Sequence, residues 1–242
     1  MFCGHIFVVA LSVAGILAAP KKKVACALND LSCTTLTADP LFKSIMRGRP
    51  DLNVPASEPL REAEISGRLD DMYYNLTDAE LHGMSDCSVK SHNINFLQLS
   101  WSFLLYCPKL VLQSNYDLSG SIRNIPIEGR GRSNIVHEKY RIGMRGGFDV
   151  VLDLKGRPHV RINHYDIDRL EVVGNIRSDF SNLYNGDVAR SAVMHKYLND
   201  NWKSIGFYTQ YPTMRSFMKR MMENLIKFLQ VVPANELFFR EE

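Results

Sequence analysis

The residues of this 242-residue chain best placed to do chemistry are four cysteines: Cys26, Cys33, Cys87 and Cys107. Thiols close disulfides, hold metals or act as nucleophiles, and their spacing separates these uses. Cys26 and Cys33 are separated by six residues, Cys87 and Cys107 by nineteen, and neither gap matches a common zinc spacing. An even number of cysteines in an oxidising compartment points to disulfides, and four allow three connectivities. Proximity favours Cys26–Cys33 and Cys87–Cys107. On the chain-entropy model these rings contribute about 2.5 and about 3.3 kcal/mol, which makes them supports for a larger core. If Cys87 pairs with Cys107, antiparallel registry places Asn93 opposite Trp101 and Asn95 opposite Leu99, with a turn near Leu97.

The other reactive side chains do not assemble into a known catalytic pattern. His137-Glu138 continues as Lys139-Tyr140-Arg141, so the His-Glu-x-x-His zinc motif is missing. There is no Gly-x-Ser-x-Gly elbow, phosphate loop or dinucleotide fingerprint. His82, His92, His137, His159, His164 and His195 are scattered and read as surface or hydrogen-bonded core residues. Asp70-Asp71 could be a carboxylate pair, but adjacent strand residues point to opposite faces. The expectation is a protein without enzymatic activity, cofactor or metal. Asn75-Leu76-Thr77 is a glycosylation sequon, with Asn75 as the acceptor.

The elements that must position these residues begin after a targeting segment. Ile6 to Ala19 is an uncharged apolar run, too short to span a bilayer and suited to a cleaved signal peptide. Residues 1–19 are therefore expected to be a signal peptide that removes Cys3, and residues 20–242 one secreted, extracellular domain. Hydrophobic residues make up 45% of the chain, enough for a sizeable core, and a net charge of +3 is too mild to argue for nucleic acid. Glu128-Gly129-Arg130-Gly131-Arg132 reads as a turn with solvated arginines rather than a phosphate site.

Periodicity divides the rest. Residues 38–47 read as a short helix capped by Asp39, with Pro40 at its first position. Residues 63–176 are mostly strand-like. Leu99, Trp101, Phe103 and Leu105 alternate with serines and a leucine, and turns are expected at Ser119-Gly120, Gly129–Gly131, Gly146-Gly147 and Lys155–Pro158. After Asn185-Gly186 the spacing becomes helical. Val188, Ala192, His195, Leu198, Trp202 and Ile205 form one stripe; Met214, Phe217, Met218, Met221, Leu225, Phe228 and Leu229 form another, with Pro212 breaking or kinking the helix between them. The fold class is α+β: a long C-terminal helix with a strongly curved antiparallel β-sheet curled around it.

The chain resembles the insect takeout / juvenile hormone-binding protein family along nearly all of residues 20–242. The resemblance is carried in order by Cys26…Cys33, Gly48-Arg49-Pro50 through Pro59-Leu60, Cys107-Pro108-Lys109-Leu110 with Tyr116-Asp117, Gly129-Arg130-Gly131 with Tyr140 and Phe148-Asp149-Val150, Leu183-Tyr184-Asn185-Gly186, Leu198–Trp202, and Val232-Pro233 through Phe238. It implies an elongated lipid-carrier architecture related to bactericidal/permeability-increasing protein. It also implies an apolar tunnel that encloses a terpenoid hormone or similar lipid, without stable membrane insertion and in a monomer. Tyr140 matches a family strand tyrosine that approaches the ligand. The hormone carriers proper have a disulfide in the C-terminal half; this chain has no cysteine after Cys107, which favours the takeout branch, linked to circadian, feeding or chemosensory roles. The competing expectation is a secreted interaction or signalling protein whose core is filled by its own side chains.

Overall fold

A computed structural model describes residues 23–26, 30–237 and 239–241; the expected signal segment, residues 1–19, lies outside them. In chain order the elements are β1 (Lys23–Ala25), α1 (Leu31–Arg47), β2 (Leu60–Leu69), β3 (Met72–His82), β4 (Ser88–Asn95), β5 (Ser100–Ile122), β6 (Ile125–Leu152), β7 (Pro158–Val172), β8 (Ile176–Phe180), α2 (Val188–Asp200), α3 (Trp202–Val231) and β9 (Phe239–Glu241). Strands β2 to β8 form one antiparallel sheet, and β1 pairs with β9. Among the described residues no helix is long and apolar enough to cross a membrane.

The first helix is longer than its sequence suggests. Asp30, not Asp39, is the cap: its Oδ1 accepts the N–H groups of Ser32 and Cys33 at 3.1 Å each, and the Cys26–Cys33 disulfide ties down the same turn. Pro40 lies inside α1 rather than at its start. Asp39, now mid-helix, reaches outward instead. Its carboxylate accepts the Val89 N–H at 3.0 Å and pairs with Lys43 at 2.9 Å, fixing α1 to β4.

The spine of the sheet is the β5–β6 pair. These strands have 23 and 28 residues, roughly 75 and 90 Å if straight, while the 30-residue α3 is roughly 45 Å long. The strands must therefore coil to stay on the helix. The burial pattern shows how. In β5 the buried positions are Trp101, Leu105 and Cys107, then Leu110, Leu112, Tyr116 and Leu118: the parity reverses across exposed Pro108-Lys109. In β6 it reverses across exposed Glu138-Lys139, between His137 and Tyr140. Lys109 faces Glu138, so both reversals fall on one rung, and Lys139 adopts a positive φ of 53°.

The edge partners change at the same level. β4 pairs with β5 up to Tyr106, and β3 takes over from Val111. On the other side β8 pairs with β6 up to His137, and β7 from Tyr140. Helix α3 packs against both β2 and β7, so the curled sheet reaches it from two sides.

Several expected turns are strand interior. Of the four, only Lys155–Pro158 separates two strands; the β5–β6 turn lies at Arg123-Asn124. Gly129 and Gly131 lie within β6 because the segment after β8 crosses it closely: a Cβ at Gly131 would stand 2.3 Å from the Ser181 carbonyl oxygen. Arg130 pairs across the sheet with Asp117. Gly146-Gly147 adjoins a register shift against β7 rather than a turn. Asp70-Asp71 forms the β2–β3 turn, where Asp70 accepts the Arg123 N–H at 3.0 Å.

The C-terminal helices also differ from the sequence reading. The break falls at Asn201, between α2 and α3, and Pro212 is carried inside α3. On α2 the buried residues are Met194 and Leu198, whereas Val188 and Ala192 are exposed, so the inward stripe is rotated from the one expected. On α3, Met214, Phe217, Met218, Met221, Met222, Phe228 and Leu229 are buried. Phe217→Ala should destabilise the protein by about 3–5 kcal/mol, since its side chain is wholly enclosed. Glu223→Ala, on the outer side and paired with Arg220, should cost under about 1 kcal/mol. Chemical denaturation tests this; equal midpoints for the two variants contradict the docking of α3.

Candidate functional site

Two apolar chambers lie along α3 among the described residues. Chamber one has a volume of about 150 Å³. Its wall comprises Phe42, Ile45 and Met46 of α1, Val89, His92 and Ile94 of β4, Trp101, Phe103 and Leu105 of β5, and Met221, Leu225 and Leu229 of α3. Phe148 of β6, Val160 and Ile162 of β7, and Ala38, Leu41, Phe96, Ser102 and Leu237 complete it, and Phe96 meets Phe148 edge-to-face at 5.3 Å. No charged residue lines this chamber. Chamber two, about 90 Å³, is lined by Tyr74 and Leu76 of β3, Leu112 and Leu118 of β5, Ile127, Ile135 and His137 of β6, Leu198 of α2, and Trp202, Ile205 and Met214 of α3.

A septum separates them. Along α3 the wall of chamber two ends at Met214 and that of chamber one begins at Met221. Along β6 the corresponding limits are His137 and Phe148. Between these limits Leu110, Tyr140, Ile142, Phe217 and Met218 are fully buried and line neither chamber. The septum stands beside the rung where β5 and β6 reverse their buried faces.

The septum is not purely hydrocarbon. Tyr140 is enclosed, its hydroxyl has no hydrogen-bond partner among the described residues, and burial raises its pKa so that the phenol stays protonated. Its ring meets that of His137 edge-on at 5.7 Å. The His137 imidazole is pushed down to about 4 by burial, and its Nδ1 is also without a protein partner. An unpartnered donor and a neutral imidazole thus stand at the junction of the chambers.

The sequence-predicted residues occupy separate places. Cys26–Cys33 staples the start of α1, and Cys87–Cys107 joins the start of β4 to β5. The β4–β5 pairing is shifted by one residue from the expected register: Asn93 faces Ser102 and Asn95 faces Ser100, because of an irregularity between Val89 and Ser91. Asn75 is half-buried on β3, away from both chambers. Of the predicted residues, Tyr140 stands in the septum and Cys107 faces it across the β5–β6 pair. Sequence reasoning missed His92 and His137 as chamber residues. The signal was present for His92, which alternates with Ile94 and Phe96 on the inward face of β4.

Fold and cavities together define a helix-in-sheet protein with two partly open apolar chambers along its helix. Residues 6–239 match the family described as haemolymph juvenile hormone binding protein, and the chain belongs to this takeout / juvenile hormone-binding family, one of binding proteins. It is 25% identical over 238 residues to the circadian clock-controlled protein daywake of Drosophila melanogaster, covering 92% of this chain and 89% of that protein. Daywake of Drosophila yakuba is 24% identical over 237 residues, with the same coverage. The crystal structure of takeout 1 from Epiphyas postvittana superposes with a TM-score of 0.83 at 23% identity, over 88% of this chain and 97% of that one, which establishes a shared fold.

The buried histidine makes stability depend on pH. Its folded pKa of about 4 lies below the ordinary value of 6.5, so the unfolded state binds the proton more readily. The stabilising contribution is complete above pH 6.5 and is lost as pH falls towards 4. That interval corresponds to about 3 kcal/mol. His137→Phe should flatten this part of the stability profile, measured by denaturation between pH 7 and 4.5. An unchanged slope in the variant contradicts the assignment.

Proposed function

We propose that this chain is a secreted, non-enzymatic carrier that encloses a neutral hydrophobic small molecule, a terpenoid or similar lipid, as a monomer. The observation that carries the reading is chamber one. Close-packed interiors hold few voids larger than a water molecule, and a dry apolar cavity of about 150 Å³ takes up a benzene-sized guest. A ring-sized or short branched group fits chamber one as it stands. A ligand of ten to fifteen carbons must extend through the septum into chamber two. Its burial would gain roughly 8–12 kcal/mol before ordering costs. Met218 is the flexible member that would swing aside, since methionine repacks readily. Tyr140 and His137 would then meet a polar group part-way along the ligand.

The septum also favours a second reading, an interaction or signalling protein whose core is filled by its own side chains. Binding measurements separate the two. A fluorescent terpenoid or fatty-alcohol analogue should bind the delipidated, oxidised protein at one saturable site. It should raise the melting temperature and depend little on salt, since the drive is apolar burial rather than charge. Met218→Phe should weaken long analogues more than short ones. Absence of saturable binding across a neutral lipid panel contradicts the carrier and leaves the interaction protein.

Residues 1–19 as a cleaved signal peptide, residues 20–242 as the carrier domain and Asn75 as a glycan acceptor belong to the same proposal. The daywake relatives are named circadian clock-controlled, which supports a role for this chain in daily timing; a role in feeding or hormone signalling belongs to the same proposal. Mass spectrometry of extracellular fluid sampled through the day should find the chain without residues 1–19, glycosylated at Asn75, at an oscillating abundance. An intracellular chain with its first residues intact contradicts secretion. An unmodified Asn75 contradicts the glycan, and constant abundance contradicts the timing role.

A further inference from the structure

The inward face of the β6–β7 hairpin runs out past chamber one into solvent. Phe148 of β6 lines the chamber together with Val160 and Ile162 of β7. The register from Phe148–Ile162 through Val150–Val160 to Leu152–Pro158 is unbroken, so Val150 and Leu152 lie on the chamber-facing side. Exposure climbs along that face: Phe148 is buried, Val150 is 43% exposed and Leu152 70%, and Leu154 in the turn beyond is fully exposed. From Phe148 to Leu152 the ribbon covers about 13 Å. Its opposite face carries the Asp149–Arg161 ion pair, 2.9 Å apart. The hairpin is thus an amphipathic ribbon whose apolar side continues the chamber wall.

The turn that presents Leu154 is held by its neighbour. Asp153 Oδ1 accepts the N–H groups of Lys155 and Arg157 at 2.8 and 2.9 Å, and Oδ2 accepts the Arg157 Nε–H at 2.8 Å. Lys155, beside Leu154, has no ion-pair partner among the described residues. A second tip stands next to this one. The β4–β5 turn carries Leu97, 97% exposed, directly after Phe96 of the chamber wall, and its Leu99 carbonyl accepts the Phe148 N–H at 2.9 Å. Single exposed leucines are commonplace, but several gathered at one end, beside the wall of an apolar chamber, mark an interaction surface. Separate tips offer no flat apolar face like the roughly 800 Å² per partner that a stable protein interface buries. Leucines next to an unpaired cation suit a lipid surface, where apolar side chains enter the acyl boundary and basic ones meet the head groups.

We propose that this end of the molecule docks reversibly on an anionic phospholipid bilayer, with Leu97, Leu152 and Leu154 entering the acyl boundary and Lys155 meeting the head groups. The apolar side of the ribbon is then the path by which cargo passes between the bilayer and chamber one, without crossing water. The docking follows from the tips themselves; the cargo path rests on the carrier reading. The contact is peripheral, because a few leucines and one cation hold a protein at a membrane only weakly.

The test floats the oxidised, full-length secreted chain with vesicles of phosphatidylcholine containing phosphatidylserine. The unaltered chain should float with them. The double variant Leu152→Ser, Leu154→Ser should bind at least about 10-fold more weakly. Its melting temperature should not change, since both side chains are already in solvent. Lys155→Gln should lose about fivefold on these vesicles. The double variant Val188→Ser, Val193→Ser, which removes two exposed apolar side chains from α2, should stay within about twofold of the unaltered chain. Leu154→Trp should add an emission that brominated acyl chains quench. A chain that does not float overturns the proposal and leaves the tips to a protein partner. Undiminished binding by the leucine variant, or an equal loss in the α2 variant, also overturns it. A fluorescent terpenoid analogue, titrated without vesicles, should bind the leucine variant as tightly as the unaltered chain; a loss there places the leucines in the chamber and overturns the docking role. If the unaltered chain floats through its leucines yet binds no analogue, the docking stands and the carrier reading fails.

Discussion

The structure depends on keeping two very long strands in contact with a much shorter helix. Strands β5 and β6 are the spine of the sheet that curls around α3, yet a flat strand pair of their length would run far past its ends. The reversal of buried parity at Lys109 and Glu138 resolves this. On one side of that rung the odd residues of β5 face inward, on the other side the even ones, and the edge strands change with them. A one-residue slip moves every side chain to the opposite face. The same device, made in both strands at once, turns the pair over without shifting its register, which continues from Cys107–Tyr140 to Lys109–Glu138.

The cavity system follows from this arrangement. Each half of the coiled sheet covers its own stretch of α3 and leaves its own chamber. At the changeover Leu110, Tyr140, Ile142, Phe217 and Met218 pack without exposure. Four methionines of α3 are buried: Met214 lines chamber two, Met221 lines chamber one, and Met218 and Met222 line neither. Their unbranched side chains tolerate irregular neighbours, which suits a helix whose partner surface changes along its length. The polar groups stand at defined points in this apolar interior: Tyr140 and His137 at the junction, His92 and Trp101 in chamber one.

Much of the fold was legible because local patterns and global packing agreed. The alternation through Trp101, Phe103 and Leu105 and the stripe from Met214 to Leu229 describe inward faces that the structure keeps. The cysteine spacings anticipate two staples. Long-range contacts hid the rest. Gly129 and Gly131 look like turn residues until the chain near Ser181 is seen crossing them. Pro40 looks like a helix start until Asp30 and the Cys26–Cys33 bridge extend the helix past it. The chambers were illegible for a similar reason: whether Phe217 and Met218 fill a tunnel or line it depends on neighbours as distant in sequence as Leu110, Tyr140 and Ile142. Tyr140 became visible through family resemblance. His92 could have been placed on the chamber wall by its alternation with Ile94 and Phe96 alone.

The central claim is that the enclosed apolar space exists to hold a guest. Native mass spectrometry of the protein recovered from the medium of secreting cells, before and after organic extraction, tests it most directly. The account predicts a mass excess equal to one neutral small molecule, removed by extraction and restored by adding the extract back. A protein that carries no such excess, and whose mass and melting temperature are unchanged by extraction or by the extract, would show a core that is complete by itself.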